Sequence, residues 1–155
     1  MATPSLGSPA PEFTASTDEG TVSLASLRGE MVVLYFYPKD STPGCTLEAR
    51  EFAQLAERFA AAGARIFGVS RDSVKSHQRF RAKECLPFPL IADDAGICEA
   101  YGAWRKKKLY GREYEGIARI TFLVNAEGRV AAVWDPVTAK GHAAKVLARV
   151  EGGPD

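Results

Sequence analysis

The chain has 155 residues, of which 46% are hydrophobic and 25% charged. That length and balance fit one domain over residues 1–155 with a sizeable core, and exclude a disordered, collagenous or coiled-coil chain. With 20 Lys and Arg against 19 Asp and Glu, the net charge of +1 offers no electrostatic footprint for nucleic acid or an anionic membrane surface. No apolar run approaches the roughly 20 residues that span a bilayer. Residues 1–10 lack the basic start and apolar stretch of a signal peptide, so the expected location is the cytoplasm.

Taken in chain order, residues 1–12 carry Pro4, Pro9 and Pro11 and read as an extended lead-in. Residues 13–16 and 21–24 flank Asp18-Glu19-Gly20, a turn signal, and predict a short hairpin. The apolar run 31–37 is rich in β-branched and aromatic residues, as expected of a strand buried on both faces. Pro38 ends it. Thr42 suits a helix N-cap and Pro43 the first helical position. Leu47, Phe52, Leu55 and Phe59 then recur with helical periodicity up to Gly63, a natural C-terminal cap. Strands are predicted at 64–70 and 90–92, and helices at 73–85 and 95–101. Residues 104–116, with the run Arg105-Lys106-Lys107-Lys108, read as a basic, solvated loop. Strands at 118–125 and 129–134 form a second hairpin, and 138–150 a closing amphipathic helix. The alternation of strands and helices predicts an α/β architecture. Its layout is thioredoxin-like: a central mixed β-sheet flanked by helices on both faces, with an N-terminal β-hairpin.

Chemistry concentrates where the first buried strand passes through a turn into a helix. With Thr42 as N-cap, Cys45 falls at the third helical position, among backbone N–H groups that have no intrahelical partner and at the positive end of the helix dipole. Both effects favour thiolate over thiol, and cysteines at helix N-termini ionise far more readily than a free thiol. Gly44 lets backbone approach a small ligand. The pattern points to a nucleophilic cysteine, against the plainer reading of a small core residue that happens to begin a helix. The other cysteines, Cys85 and Cys98, form no CxxC with it, and His77 and His142 need no catalytic role. Neither a disulfide scaffold nor a structural zinc site fits this spacing, and no metal or cofactor is expected.

The segment Pro38-Lys39-Asp40-Ser41-Thr42-Pro43-Gly44-Cys45 resembles the PxxxTxxC signature of peroxiredoxins, and with Tyr35-Phe36-Tyr37 before it and Thr46 and Glu48 after it looks like the PrxQ, or bacterioferritin comigratory protein, subfamily. Pro9-Ala10-Pro11-Glu12-Phe13, Gly68-Val69-Ser70 with Asp72, Cys98-Glu99-Ala100-Tyr101-Gly102 and the segment from Gly116 through Arg119 to Leu123 extend the resemblance over about residues 4–150. It implies a thiol peroxidase acting on hydrogen peroxide and organic hydroperoxides, recycled by thioredoxin and working as a monomer. In that family pattern Cys45 would be the peroxidatic nucleophile, Thr42 and Arg119 would direct donors at the peroxide oxygens, Pro38 would shield the site, and Glu48 would orient the arginine.

The pattern departs from the subfamily at the resolving cysteine. The position five residues after Cys45 is Arg50, and the usual alternative on the 73–85 helix aligns with Arg81. Cys85, four residues beyond Arg81, is a displaced candidate, and bridging it to Cys45 would call for local unfolding. Cys98, beside Ile97 and Tyr101, reads as a core residue. A one-cysteine peroxidase using an external thiol, a thioredoxin-like disulfide oxidoreductase, and a non-enzymatic module on the same scaffold stand as alternatives. The missing CxxC speaks against the second.

Overall fold

The computed structural model describes residues 3–152; the first two residues of the lead-in, Met1 and Ala2, and residues 153–155 lie outside the described residues. Strands β1 (Thr14–Thr17) and β2 (Gly20–Ser23) form the N-terminal hairpin. Strand β3 (Met31–Phe36) leads through a turn into α1 (Pro43–Ala61), followed by β4 (Ala64–Ser70), α2 (Val74–Glu84), β5 (Leu90–Ala92) and the single-turn α3 (Ile97–Ala100). A hairpin of β6 (Trp104–Leu109) and β7 (Arg112–Ile117) precedes β8 (Ile120–Val124), β9 (Val130–Trp134) and α4 (His142–Glu151).

Seven strands make one mixed sheet in the order β2-β1-β5-β4-β3-β8-β9. β3 lies in its interior, parallel to β4 and antiparallel to β8. Its side chains alternate between two cores, as the period of two requires. Val32, Leu34 and Phe36 pack with Phe13, Phe122, Tyr101 and Cys98 on one face. Val33, Tyr35 and Tyr37 pack with Phe52, Phe59, Phe80 and Val146 on the other, under α1, α2 and α4. Helices thus lie on both faces; on the first they are only α3 and a 3-10 turn at Ala25–Leu27, and the non-helical lead-in completes the cover. This is the thioredoxin-like arrangement expected from the sequence.

Two expectations are corrected. Residues 104–116 are not a loop but most of the two-stranded β6–β7 sheet. Lys106 stands opposite Glu115 and Lys108 opposite Glu113, so on one face of the ladder each lysine of the run faces an acidic residue. Tyr110 and Gly111, at φ 52° and 76°, make the tight turn. Two consecutive left-handed residues match a hairpin's twist, but tyrosine is not the residue that announces them. The closing helix starts at His142 rather than 138, because Gly141 adopts φ 80° immediately before it. Leu47, read with Phe52, Leu55 and Phe59 as part of one helical period, is 39% exposed, whereas Phe52 and Phe59 are buried.

Candidate active site

Thr42 occupies the N-cap of α1 with extended backbone, and Pro43 follows at the first helical position, as the sequence predicts. The Thr42 carbonyl accepts the Thr46 N–H at 2.8 Å, but its hydroxyl does not cap the helix; it donates to the Lys39 carbonyl at 2.9 Å. Among the described residues no side chain therefore takes the N–H groups of the first turn, which helix geometry leaves without internal partners. Cys45 lies in that turn and is 2% exposed.

Arg119 reaches this turn from the two-residue link between β7 and β8. Its Nη2 donates to Cys45 Sγ at 3.3 Å and its Nη1 to Glu48 Oε1 at 2.6 Å. One guanidinium thus bridges a thiol and a carboxylate that lie one turn apart on α1. Glu48 is fully buried, and its Oε2 has no partner among the described residues. Burial outweighs the neighbouring arginine and raises its carboxyl to about 7. Arg119 is held charged by Glu48 and Cys45, against the desolvation of its own half-buried position.

The structure brings Cys45, Glu48 and Arg119 together. Pro38 follows β3 at an exposed position. Cys85 is exposed and caps the C-terminus of α2 in the left-handed conformation, φ 54°. An open groove of about 360 Å³ separates the first turns of α1 from the last turn of α2, lined by Pro43, Thr46, Leu47, Arg50 and Glu84. Arg50 spans the two helices by an ion pair to Glu84 at 2.5 Å, and Arg81 pairs with Asp18 and Glu19 at 2.9 and 2.7 Å. Arg50 and Arg81, the two positions at which the resemblance would place a resolving cysteine, are thus both engaged in ion pairs. Cys98 is buried as expected, its thiol pushed up by burial and by Asp93. A larger cavity, about 720 Å³ between Met31, Ala62, Leu123 and Val150, lies at the opposite end of β3 and contains none of these side chains.

Sequence reasoning passed over two features. Lys107, read as part of a solvated loop, is half-buried on β6, and its ammonium feels the charges of both Arg119 and Cys45; burial and Arg119 lower it, while Cys45 opposes the change. His77 and Asp40 form a buried pair beneath the turn that presents Cys45. Alternation along β6 could have pointed to the first. Nothing local to residue 77 points to the second.

A model of the AhpC/TSA family matches residues 6–133. The chain is 48% identical to a putative peroxiredoxin Bcp of Coxiella burnetii over 94% of its own length and 97% of that protein's. It is 46% identical to peroxiredoxin Bcp of Bacillus subtilis, over 92% of each chain. It superposes with a TM-score of 0.89 and 43% identity, over 98% of both chains, on Xanthomonas campestris bacterioferritin comigratory protein, solved as trapped intermediate and ligand complexes bearing on its alkyl peroxide reduction activity. A cysteine-to-serine mutant of Xylella fastidiosa PrxQ gives a TM-score of 0.92 at 35% identity, again over 98% of both chains. The strand–turn–helix that carries Cys45, the arginine delivered to it and a likeness that runs almost end to end lead to one conclusion: the chain belongs to the AhpC/TSA family, in its Bcp/PrxQ group of peroxiredoxins.

Proposed function

We propose that this peroxiredoxin, acting as one domain over residues 1–155, reduces hydrogen peroxide and organic hydroperoxides through a sulfenic acid on Cys45 and is recycled by thioredoxin. The observation that carries the reading is the Arg119 Nη2 donation to Cys45 Sγ at 3.3 Å in the first turn of α1. The Cys45 thiolate attacks the terminal oxygen of the peroxide. The S–O bond forms as the O–O bond breaks, sulfur losing two electrons to the peroxide. The departing alkoxide or hydroxide takes a proton and leaves as alcohol or water, and Cys45 becomes a sulfenic acid. Negative charge moves from sulfur onto the leaving oxygen, so preorganised donors on that path lower the barrier. Arg119 and the N–H groups of the first turn supply them, with Thr42 at the rim. Glu48 fixes the guanidinium, and Pro38 limits water at the mouth of the turn.

Cys85 is the resolving residue in this reading. Its thiolate attacks Cys45 sulfur, hydroxide leaves, and a disulfide forms that the thioredoxin dithiol then reduces by exchange. Cys45 is buried in α1 and Cys85 is exposed at the end of α2, so closing the groove between them requires one end to open locally. The protein acts as a monomer in the cytoplasm.

Peroxide consumption is measured with thioredoxin, thioredoxin reductase and NADPH, followed by peptide mapping after one equivalent of peroxide. Turnover that is lost in Cys45→Ser, with a Cys45–Cys85 bridge, supports the whole reading. A lone sulfenate at Cys45, with turnover on another thiol, selects a one-cysteine peroxidase instead. Peroxide left unconsumed with every thiol reductant sinks the reading.

A further inference from the structure

Beneath the turn that presents Cys45 lies a buried polar cluster that the peroxide chemistry does not use. His77, on the first turns of α2, is fully buried. Its Nε2 lies 3.0 Å from the Ile91 carbonyl and its Nδ1 2.7 Å from Asp40 Oδ2. Asp40, 5% exposed, sits in the link between β3 and α1, five residues before Cys45. Its carboxylate also accepts from the Tyr37 hydroxyl at 2.6 Å and the Ser76 hydroxyl at 2.8 Å, and its backbone N–H donates to Asp72 Oδ2 at 2.9 Å. One link thus carries fastenings to the residue that follows β3, to α2 and to the residues after β4.

The donor count is restrictive. A carbonyl only accepts, so His77 Nε2 carries a hydrogen. The contact between Nδ1 and Oδ2 then needs a second proton, whether it rides on the ring or on the carboxyl. Without it two acceptors would face each other, buried, at 2.7 Å. The residue after Asp40 makes this fastening consequential. Ser41 sits at φ 64°, a left-handed conformation that a serine adopts only when its surroundings impose it. Released, the link would relax, and Thr42 and Cys45 would move with it. Asp40, Asp72 and His77 bring ligand atoms within 4.8 Å of one another, but the contacts above already engage them, so the cluster reads as a fastening rather than an ion site.

We propose that His77 and Asp40 are a positioning pair for Cys45: the proton they share holds Ser41 in its strained conformation and keeps the first turn of α1 closed against Arg119. The inference rests on the peroxidase reading for its consequence, but not for its test. Two rates on the full-length protein separate them: oxidation of Cys45 by hydrogen peroxide, which needs the assembled site, and alkylation of Cys45 by iodoacetamide at a pH high enough to ionise the thiol in every variant, which then needs only access to the buried sulfur. His77→Leu is expected to slow the first about tenfold, the equivalent of one lost buried hydrogen bond, and to speed the second. Asp40→Asn can accept from Tyr37 and donate to a neutral His77, so it retains both rates within about twofold. If His77→Leu does not fold, Ser76→Ala, which removes one bond to Asp40, decides by shifting both rates in the same opposed directions to a smaller extent. Rates that fall together or stay unchanged in these variants, or Asp40→Asn as damaging as His77→Leu, overturn the pair. A wild-type protein inert to peroxide defeats the peroxidase reading, while alkylation still reports on the pair.

Discussion

Gly44 lies directly beneath Arg119: a Cβ at residue 44 would stand 3.2 Å from Nη2 of that arginine. The glycine is therefore a matter of clearance for a guanidinium, since its own backbone is helical. Gly44→Ala is expected to stabilise α1 by up to about 1 kcal/mol, because alanine is the better helix former. It should also push Nη2 off Cys45 by a few tenths of an ångström. Urea unfolding should show a rise in midpoint while stopped-flow oxidation shows a fall in rate, and a rise in both would contradict the clearance argument.

Arg119→Lys is the conservative change by charge alone. Only a planar fork can serve Glu48 and Cys45 through two separate nitrogens. Loss of one aimed donor costs roughly 10²–10³ in rate where charge develops in the transition state. Oxidation of Cys45 in Arg119→Lys should fall by that order, and a rate within threefold of wild type would show that charge without geometry suffices.

Glu48 makes a prediction about stability. Its folded carboxyl is raised to about 7 from 4.5 by burial, so between those values the folded state keeps a proton that the unfolded chain releases. Its contribution is fully present below about pH 4.5 and is lost as pH rises through about 7. Measured by urea unfolding at pH 5 and pH 8, wild type should lose about 1–3 kcal/mol more than Glu48→Gln over that interval. Equal losses would show that Arg119 keeps the carboxylate ionised throughout.

Lys107 offers a milder electrostatic test. It belongs to no ion pair among the described residues, and it is half-buried within electrostatic reach of Arg119 and Cys45. Lys107→Met should slow oxidation of Cys45 severalfold, well short of the loss in Arg119→Lys, with the deficit shrinking as salt screens the wild-type interaction. A salt-independent difference would assign Lys107 a packing role instead.

The strand, the turn and the N-terminal placement of Cys45 were legible from residues 31–63 because each is a local matter. A β-branched run, a proline at the first helical turn and a glycine after the last one act over a few residues. The N-terminal hairpin, β4 and β5 were legible on the same grounds, and the alternation of elements carried the fold class. Where local signals misled, the cause was also local. Tyr110 hides a hairpin turn, and like charges on Lys106 and Lys108 suggest a solvated loop until their partners on β7 are seen. Leu47 continues the helical period of α1 although that side of the helix faces the open groove.

By itself the sequence determined that Cys45 begins a helix and that the flanking strand is buried, since both follow from the chemistry of neighbours in the chain. Only the tertiary structure decided what surrounds that sulfur. Arg119 comes from 74 residues downstream, Glu48 is left with a buried oxygen that has no partner among the described residues, and His77 meets Asp40 across 37 residues. Such pairings depend on strand order in the sheet and on which groups lose water together, and burial and long-range contact are properties that no local window contains.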